Sequence, residues 1–147
     1  MKALLQRVIK SSVNINGKIF SNIDNGLLVL IGIHKSDETK DIKYIVDKCI
    51  NLRIFSDNND KFNYSALDMK SELLIVSQFT LYADVSKGRR PSFFESAVPE
   101  DAEKLYNATI EEFNKTGLNI KTGKFGAKMN IHLVNDGPVT ILLDSKL

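Results

Sequence analysis

The chain has 147 residues, of which 43% are apolar and 26% charged, and these proportions predict one globular domain, spanning 1–147, with a core of its own. No apolar run approaches the roughly 20 residues that a membrane-spanning helix needs, and the first residues form too short an apolar run for a signal peptide, so we expect a cytoplasmic protein without a membrane partner. The formal charge of +2 is well below that of a protein that wraps long nucleic acid, but it permits contact with a short stretch of RNA.

The first third of the chain predicts strands followed by a helix. Residues 2–10 form the first predicted strand, and the alternating stretch after it turns at Asn16-Gly17, the strongest short hairpin signal. The continuous apolar run at 26–33 predicts a strand that is buried on both faces. Ser36 or Asp37 can then cap a helix. Its apolar residues recur at helical spacing: Ile42, Ile45, Val46, Cys49 and Ile50.

The remaining elements are a strand, a second helix and further strands. A polar loop is predicted at 56–65 and a long strand at 72–84. Pro99 opens the second helix, Gly117 ends it, and its apolar stripe is Ala102, Leu105, Tyr106, Thr109, Ile110 and Phe113. Three strands follow, at 118–122, 129–134 and 138–144. This order predicts an α+β fold with a mostly antiparallel, barrel-like sheet and two main helices.

The sequence contains none of the common cofactor or metal signatures. Cys49 is the only cysteine, so an internal disulfide and a cysteine-based metal site are both excluded. His34 and His132 are the only histidines and lack the spacing of a zinc site. The glycine-rich segment 123–128 matches neither a phosphate-binding loop nor a dinucleotide fingerprint. We therefore expect no cofactor and no metal.

The stretch "SQFTL" at 77–81 places polar residues in an otherwise apolar predicted strand. Strand alternation would put Gln78 and Thr80 on one face, with Ser77 and Phe79 on the other. On composition alone, a hydrogen-bonded polar patch or a strand end that meets solvent is the simpler interpretation. The alternative is a ligand pocket whose polar groups stand on a rigid strand.

The segment "KGRRPSF" at 87–93 combines three cations with an aromatic residue. Lys87, Arg89 and Arg90 lie in a Gly/Pro loop next to Phe93. Cations beside aromatic rings suit the end of a nucleic acid. A solvated turn without a partner is the competing interpretation, and it is the commoner fate of such loops.

The pair Gly137-Pro138 lies between two apolar runs, where proline cannot donate to a strand ladder. Glycine lets a backbone approach a ligand closely, whereas a simple turn at Asn135-Asp136-Gly137 would explain the same residues.

Together these motifs closely resemble the D-aminoacyl-tRNA deacylases of the bacterial and eukaryotic type. "SQFTL" and "NDGPVT" (135–140) are similar to the two signature motifs of that family, in the same order. The segments "ALLQRV" (3–8), "RIFSD" (53–57) and "RRPSF" (89–93) extend the resemblance over nearly the whole chain. Lys128 departs from the pattern, since an acidic residue is expected there, and the departure bears on a surface or interface contact.

The resemblance implies a homodimer whose active sites lie at the subunit interface. It implies that the Gly137-Pro138 peptide bond is cis and that this pair enters the partner's pocket, with Asn135 and Met129 also contributing to substrate binding and chiral selection. The implied reaction hydrolyses the ester of D-aminoacyl-tRNA and spares the L form. Glycyl-tRNA would also be accepted, since glycine has no side chain to exclude.

The resemblance assigns catalysis to Ser77, Gln78, Phe79 and Thr80, and contact with the tRNA 3′ end, rather than DNA, to the cations of the 87–93 segment. Thr80 suggests a nucleophile, but no histidine lies near it in sequence. The alternative is that the backbone of 77–80 orients the ester while the 2′-hydroxyl of the terminal adenosine assists water.

Two other functions fit the same motifs. A non-catalytic module that binds the end of an RNA would use the same basic loop and pocket without cleaving the ester. A small-molecule sensing dimer would not respond to tRNA at all, so the effect of tRNA on thermal stability separates it from the other two.

Overall fold

The computed structural model describes all 147 residues and contains eight strands, two α-helices and one short 3₁₀ helix. The strands are β1 (Lys2–Ile15), β2 (Lys18–Ile23), β3 (Gly26–Gly32), β4 (Phe55–Ser56), β5 (Phe62–Tyr64), β6 (Glu72–Ser77), β7 (Ile120–Thr122) and β8 (Asn130–Asp144). The helices are α1 (Thr39–Asn51) and α2 (Pro99–Asn114), and the 3₁₀ helix is Phe79–Tyr82.

Six of the strands form one sheet, in the order β2-β1-β3-β6-β7 with β8 also paired to β1. Along one edge of the long strand β1, β3 pairs with residues 2–8 and β2 with residues 11–15. β8 pairs with residues 2–14 along the opposite edge. β1 is antiparallel to β2, β3 and β8, whereas β3–β6 and β6–β7 are parallel pairs. β2 approaches β7, where Ser21 Oγ donates to the Thr122 carbonyl at 2.7 Å, so the sheet closes almost into a barrel.

The α+β class and the barrel-like sheet are confirmed, but the prediction of a mostly antiparallel sheet is wrong. The sheet is mixed because α1 connects β3 to β6 and α2 connects β6 to β7. A helix between two neighbouring strands returns the chain to the same end of the sheet, which makes the strands parallel. The continuous apolar run at 26–33 is typical of such doubly covered strands.

Local turn and helix signals are largely confirmed. Asn16 and Gly17 have φ angles of +51° and +76° and form the β1–β2 turn. Pro99 is the first residue of α2, and Gly117 follows its end with φ +78°. The apolar faces of both helices pack into one core with β1, β3 and β6. Its helical members are Ile42, Ile45, Val46, Cys49, Ala102, Tyr106 and Phe113.

The predicted cap of α1 is wrong, since Glu38 occupies the N-cap and forms a capping box with Asp41. Asp37 instead accepts hydrogen bonds from the Met1 amino group at 2.6 Å and from the His34 N–H at 2.7 Å. Asp37 is buried in this cluster, and its carboxylate therefore cannot also cap the helix.

Several other elements also differ from the predictions, including β7, which begins at Ile120 rather than at residue 118. The predicted polar loop at 56–65 contains the short antiparallel pair β4–β5. The strand predicted at 72–84 ends at Ser77, and the strands predicted at 129–134 and 138–144 are one long strand, β8.

None of the helices is long and apolar enough to cross a membrane. Cys49 is fully buried, and burial raises the pKa of its thiol far above the ordinary value, so this cysteine packs the core.

Candidate functional site

The residues of the "SQFTL" motif lie where the chain leaves the sheet at the end of β6. Ser77 still pairs with Ile31 of β3, and the Gln78 N–H donates to the Ile31 carbonyl at 2.7 Å. The backbone then turns into the 3₁₀ helix, so the predicted strand alternation of Gln78 and Thr80 is wrong. The motif is a turn at the rim of the sheet rather than part of a strand.

Gly32 allows the turn to pack directly against the sheet. A Cβ on Gly32 would lie 2.9 Å from Leu81 Cβ and 3.2 Å from the Gln78 carbonyl oxygen. The 3₁₀ helix therefore packs directly on the backbone of β3, and a larger side chain at position 32 would push it away. This close packing fixes the position of the motif relative to the sheet.

Within the motif, Gln78 Nε2 donates to Thr80 Oγ1, and this is the only side-chain hydrogen bond of that hydroxyl. The nearest histidine in sequence, His34, has both ring nitrogens engaged elsewhere, by Ser36 and Glu95. Thr80 therefore has no basic side chain to take its proton, which a threonine nucleophile would need. Phe79 is exposed beside it.

The basic loop contacts the motif through an aromatic pair. The rings of Phe79 and Phe93 are 4.9 Å apart in an edge-on arrangement. Asp84 and Ser92 close the loop with two backbone hydrogen bonds of 2.8 and 2.9 Å. All three cations that the sequence assigns to tRNA contact are exposed and form no ion pair: Lys87, Arg89 and Arg90. The structure thus brings the basic loop next to the turn at 77–80.

Glu95 binds the end of this loop to the segment that follows β3. Its carboxylate lies 2.9 Å from His34 Nε2 and 3.1 Å from Lys35 Nζ. Hydrogen bonds from Lys35 and then His34 hold the pKa of Glu95 below its usual value. The loop is therefore tied to the scaffold at both ends, while its cations remain free.

The Gly137-Pro138 pair forms a corner that stands out of β8. Across from it, Gln6 pairs with Thr140 and Val8 with Asn135, so Arg7 of β1 faces the four residues 136–139. The peptide bond between Gly137 and Pro138 is cis, and both residues are exposed. The proline lies in this bulge and takes no place in the ladder, which is how a long strand accommodates it.

Asn135 closes the base of the corner with its side chain. Its Oδ1 accepts the Val139 N–H at 2.9 Å, and its Nδ2 donates to Thr140 Oγ1 at 2.8 Å. Asn135 thus satisfies a backbone donor that the bulge removes from the ladder. Of the residues predicted for chiral selection, Asn135, Gly137 and Pro138 lie together.

Met129 does not lie with them. It packs against the cluster that contains Val76 of β6, and its Sδ would be 2.8 Å from a Cβ on Gly123, which would also lie 3.4 Å from Val76. Within one chain, Met129 therefore belongs to the neighbourhood of the turn at 77–80.

Arg7 of β1 holds the corner through its guanidinium, and no motif in the sequence predicts this role. Its Nε donates to the Asp136 carbonyl at 3.1 Å, and its Nη1 donates to the Ile54 carbonyl at 2.7 Å. Nη2 lies 3.1 Å from the position that a Cβ on Gly137 would take. The sequence did contain a signal for this role, because Arg7 continues the alternation of the buried residues Ala3 and Leu5. A charge rarely occupies an apolar strand face without a partner.

The two motifs are far apart within one chain. β8 and β6 are separated by three strand spacings, and Ser77 lies four residues beyond Leu73, the residue level with Arg7. Strand spacing and rise give about 20 Å between the corner and Ser77 along the sheet. No group of three or more His, Cys, Asp or Glu side chains is arranged to hold a metal ion.

Comparison with known proteins identifies the family. The family model described as D-Tyr-tRNA(Tyr) deacylase matches residues 4–144. The D-aminoacyl-tRNA deacylase of Thermosipho africanus is 56% identical over 146 residues, which cover 99% of this chain and 98% of the relative. A solved structure of a c-Myc DNA Unwinding Element Binding Protein has 45% identity, covers 98% of both chains and superposes with a TM-score of 0.93.

A second solved structure, described as a "probable eukaryotic D-amino acid tRNA deacylase", covers 97% of both chains with a TM-score of 0.85. Its sequence identity is 16%, so it supports the fold alone. The family match over residues 4–144 and the identity to the Thermosipho relative show that the chain belongs to the D-Tyr-tRNA(Tyr) deacylase family.

Proposed function

We propose that this chain, an enzyme of the deacylase family, hydrolyses the ester that joins a D-amino acid to the 3′-terminal ribose of tRNA. Water adds to the ester carbonyl carbon, the bond from that carbon to the ribose oxygen breaks, and a D-amino acid and a tRNA with a free hydroxyl are released. The observation that carries the proposal is the full-length match to relatives named D-aminoacyl-tRNA deacylase. The reaction consumes only water and belongs in the cytoplasm, where tRNA is charged for translation.

The working unit is a homodimer in which each site uses residues of both subunits. The separation of about 20 Å along the sheet supports this arrangement, because the corner cannot reach the turn at 77–80 of its own chain. Exposed apolar side chains of β1 and β8 also favour coverage by a second copy. They are Ile9, Leu133, Val134 and Leu142.

The corner selects chirality by repulsion. D- and L-aminoacyl esters carry identical groups, so attraction alone discriminates poorly, and each tenfold preference requires about 1.4 kcal/mol. A fixed wall that clashes with an L side chain supplies that difference. The exposed backbone of Gly137 and Pro138 suits such a wall, since Asn135 and Arg7 hold it in place. Its carbonyl groups would accept hydrogen bonds from the substrate α-ammonium.

Glycyl-tRNA is a second substrate of the same site. Glycine has no side chain to meet the wall, so the clash that excludes L-amino acids is absent. The wall rejects by shape and does not read the D side chain, which predicts broad activity on D-aminoacyl esters.

Thr80 does not act as the nucleophile in this scheme. Its hydroxyl contacts Gln78 and no base. We assign to the backbone at 77–80 the positioning of the ester and the stabilisation of the oxyanion, with the substrate 2′-hydroxyl assisting water. Replacement of the terminal adenosine by its 2′-deoxy form should then lower kcat by at least about 100-fold. Normal turnover on that substrate would exclude the ribose from the chemistry.

The central experiment compares hydrolysis of D-Tyr-tRNA, L-Tyr-tRNA and Gly-tRNA by the purified full chain. We expect rapid release from the D ester, measurable release from the glycyl ester and none above background from the L ester. A non-catalytic RNA-end binding module would instead protect all three esters. Equal cleavage of the two tyrosyl enantiomers would contradict the proposed wall. Activity that persists in a demonstrably monomeric sample would contradict the shared site.

A further inference from the structure

A second basic segment lies beside the turn at 77–80, on the side opposite the 87–93 loop. No acidic residue occurs between Glu112 and Asp136, whereas three exposed lysines of this stretch form no ion pair. They are Lys121, Lys124 and Lys128. Because the stretch contains no carboxylate of its own to neutralise them, these lysines leave a positive surface available to an anionic partner.

Direct contacts attach this segment to the strand that carries the motif. The Gly123 N–H donates to the Ile75 carbonyl at 2.9 Å, two residues before Ser77. A Cβ on Gly123 would lie 3.4 Å from Val76, so the backbone of the segment rests on β6 itself. Lys124 is therefore the first residue past this contact, and Lys128 directly follows the turn that Lys124 and Ala127 close.

A hydrogen bond and a packed aromatic ring hold the turn between Lys124 and Lys128 in place. The Ala127 N–H donates to the Lys124 carbonyl at 3.2 Å and closes it. The ring of Phe125 packs 5.8 Å from that of Tyr106, whose hydroxyl in turn donates to the Ile75 carbonyl at 2.9 Å. The backbone of this turn therefore has little conformational freedom left to lose when a ligand binds, which favours a specific contact over a diffuse one.

The motif thus stands between two basic segments. β6 lies between β3 and β7 in the sheet. Glu95, just after the 87–93 loop, binds His34, which lies two residues beyond the end of β3, and the 123–128 turn follows β7. A nucleic acid that places its 3′ end at the turn at 77–80 would have a cationic surface on each side of it.

We propose that Lys124 and Lys128 contact backbone phosphates of the tRNA whose 3′ end occupies the site. This proposal rests on the proposed deacylase function and adds a second phosphate-binding surface to it. Exposed lysines suit the task because they act as point charges on the RNA backbone and carry no sequence information. The contact would therefore contribute equally to binding of different tRNAs.

The test is the salt dependence of tRNA binding by the double variant Lys124→Gln/Lys128→Gln. Each lost phosphate contact makes the negative slope of log K against log[salt] shallower by about 0.7–0.9, so we expect the slope of the double variant to be shallower by about 1.4–1.8. This difference in slope corresponds to about 25- to 60-fold weaker binding at 0.1 M salt, and the difference in affinity vanishes towards 1 M. The probe is uncharged full-length tRNA, titrated from 0.05 to 0.5 M KCl.

The matched control is Lys43→Gln/Lys48→Gln, which removes the same charge from exposed positions of α1. The main partners of α1 are α2, β1 and β8, and both lysines lie on its exposed face. We expect its slope to equal that of the unmodified protein. An unchanged slope in the first variant, or equal losses in both, would overturn the proposal. A change of oligomeric state in sedimentation would also overturn it, by assigning the lysines to a subunit contact.

The two proposals fail separately. A protein that cleaves D-Tyr-tRNA with an unchanged salt slope in the variant would retain the proposed function and lose this surface. If the slope changes as expected but the protein leaves the ester intact, the phosphate-binding surface is supported and the deacylase function is refuted.

Discussion

Replacement of Arg7 by lysine tests whether a buried guanidinium holds the Gly137-Pro138 corner. The side chain donates at 2.7 Å to the Ile54 carbonyl and at 3.1 Å to the Asp136 carbonyl, and these acceptors need two separate donors in a fixed arrangement. A lysine ammonium keeps the charge but cannot replace the planar fork. At least one hydrogen bond from a charged donor is then lost.

A hydrogen bond of this kind contributes about 1.5–3 kcal/mol, so the free energy of unfolding should fall by about 2 kcal/mol. For a chain of this length the Tm should fall by about 4–8 °C. The corner should also shift, and a displacement near 1 Å can reduce the rate by about 100-fold. Calorimetry and the kcat/KM for D-Tyr-tRNA hydrolysis measure the two effects.

Asp136→Asn is the matched control, because it removes the carboxylate that faces Arg7 and keeps the backbone carbonyl. The Asp136 side chain is 48% exposed, so solvent screens the ion pair and the expected cost is below about 1 kcal/mol. If Arg7→Lys proved no more harmful than Asp136→Asn in either assay, the guanidinium would not be what positions the corner.

Three further predictions concern stability and the motif. Burial would raise the pKa of Asp41, but hydrogen bonds led by that from Ser145 outweigh it and hold the pKa far below its usual range. The contribution of Asp41 to the free energy of unfolding should thus be complete above about pH 4 and fall as the pH drops below that value. The urea midpoint of Asp41→Asn should therefore depend less on acid pH than that of the unmodified protein. Gly32→Ala should cost about 1–3 kcal/mol in urea unfolding and lower kcat, since its Cβ would meet Leu81; an unchanged midpoint would refute the close packing. Thr80→Ala should keep kcat within about tenfold of the original, whereas a complete loss with intact tRNA binding would restore the nucleophile.

Sequence patterns predicted the features of this fold that depend on neighbouring residues. The Asn16-Gly17 turn, the first residue of α2 and the apolar faces of both helices follow from backbone preferences and from a 3.6-residue period. The family was also recognisable, because its two motifs are short and contiguous. Such signals are complete within a few residues and do not need the rest of the chain.

The tertiary structure decided the direction of the strand pairs and the shape of the site. Apolar runs at β3 and β6 do not show whether the strands are parallel, since that depends on where α1 returns the chain. The motif at 77–80 was predicted as part of a strand but forms a turn, and Gly32, distant in sequence, leaves the room in which that turn packs. Arg7 gains its role only from the register between β1 and β8. These outcomes depend on contacts between segments far apart in sequence, where steric fit and hydrogen-bond satisfaction override local preference.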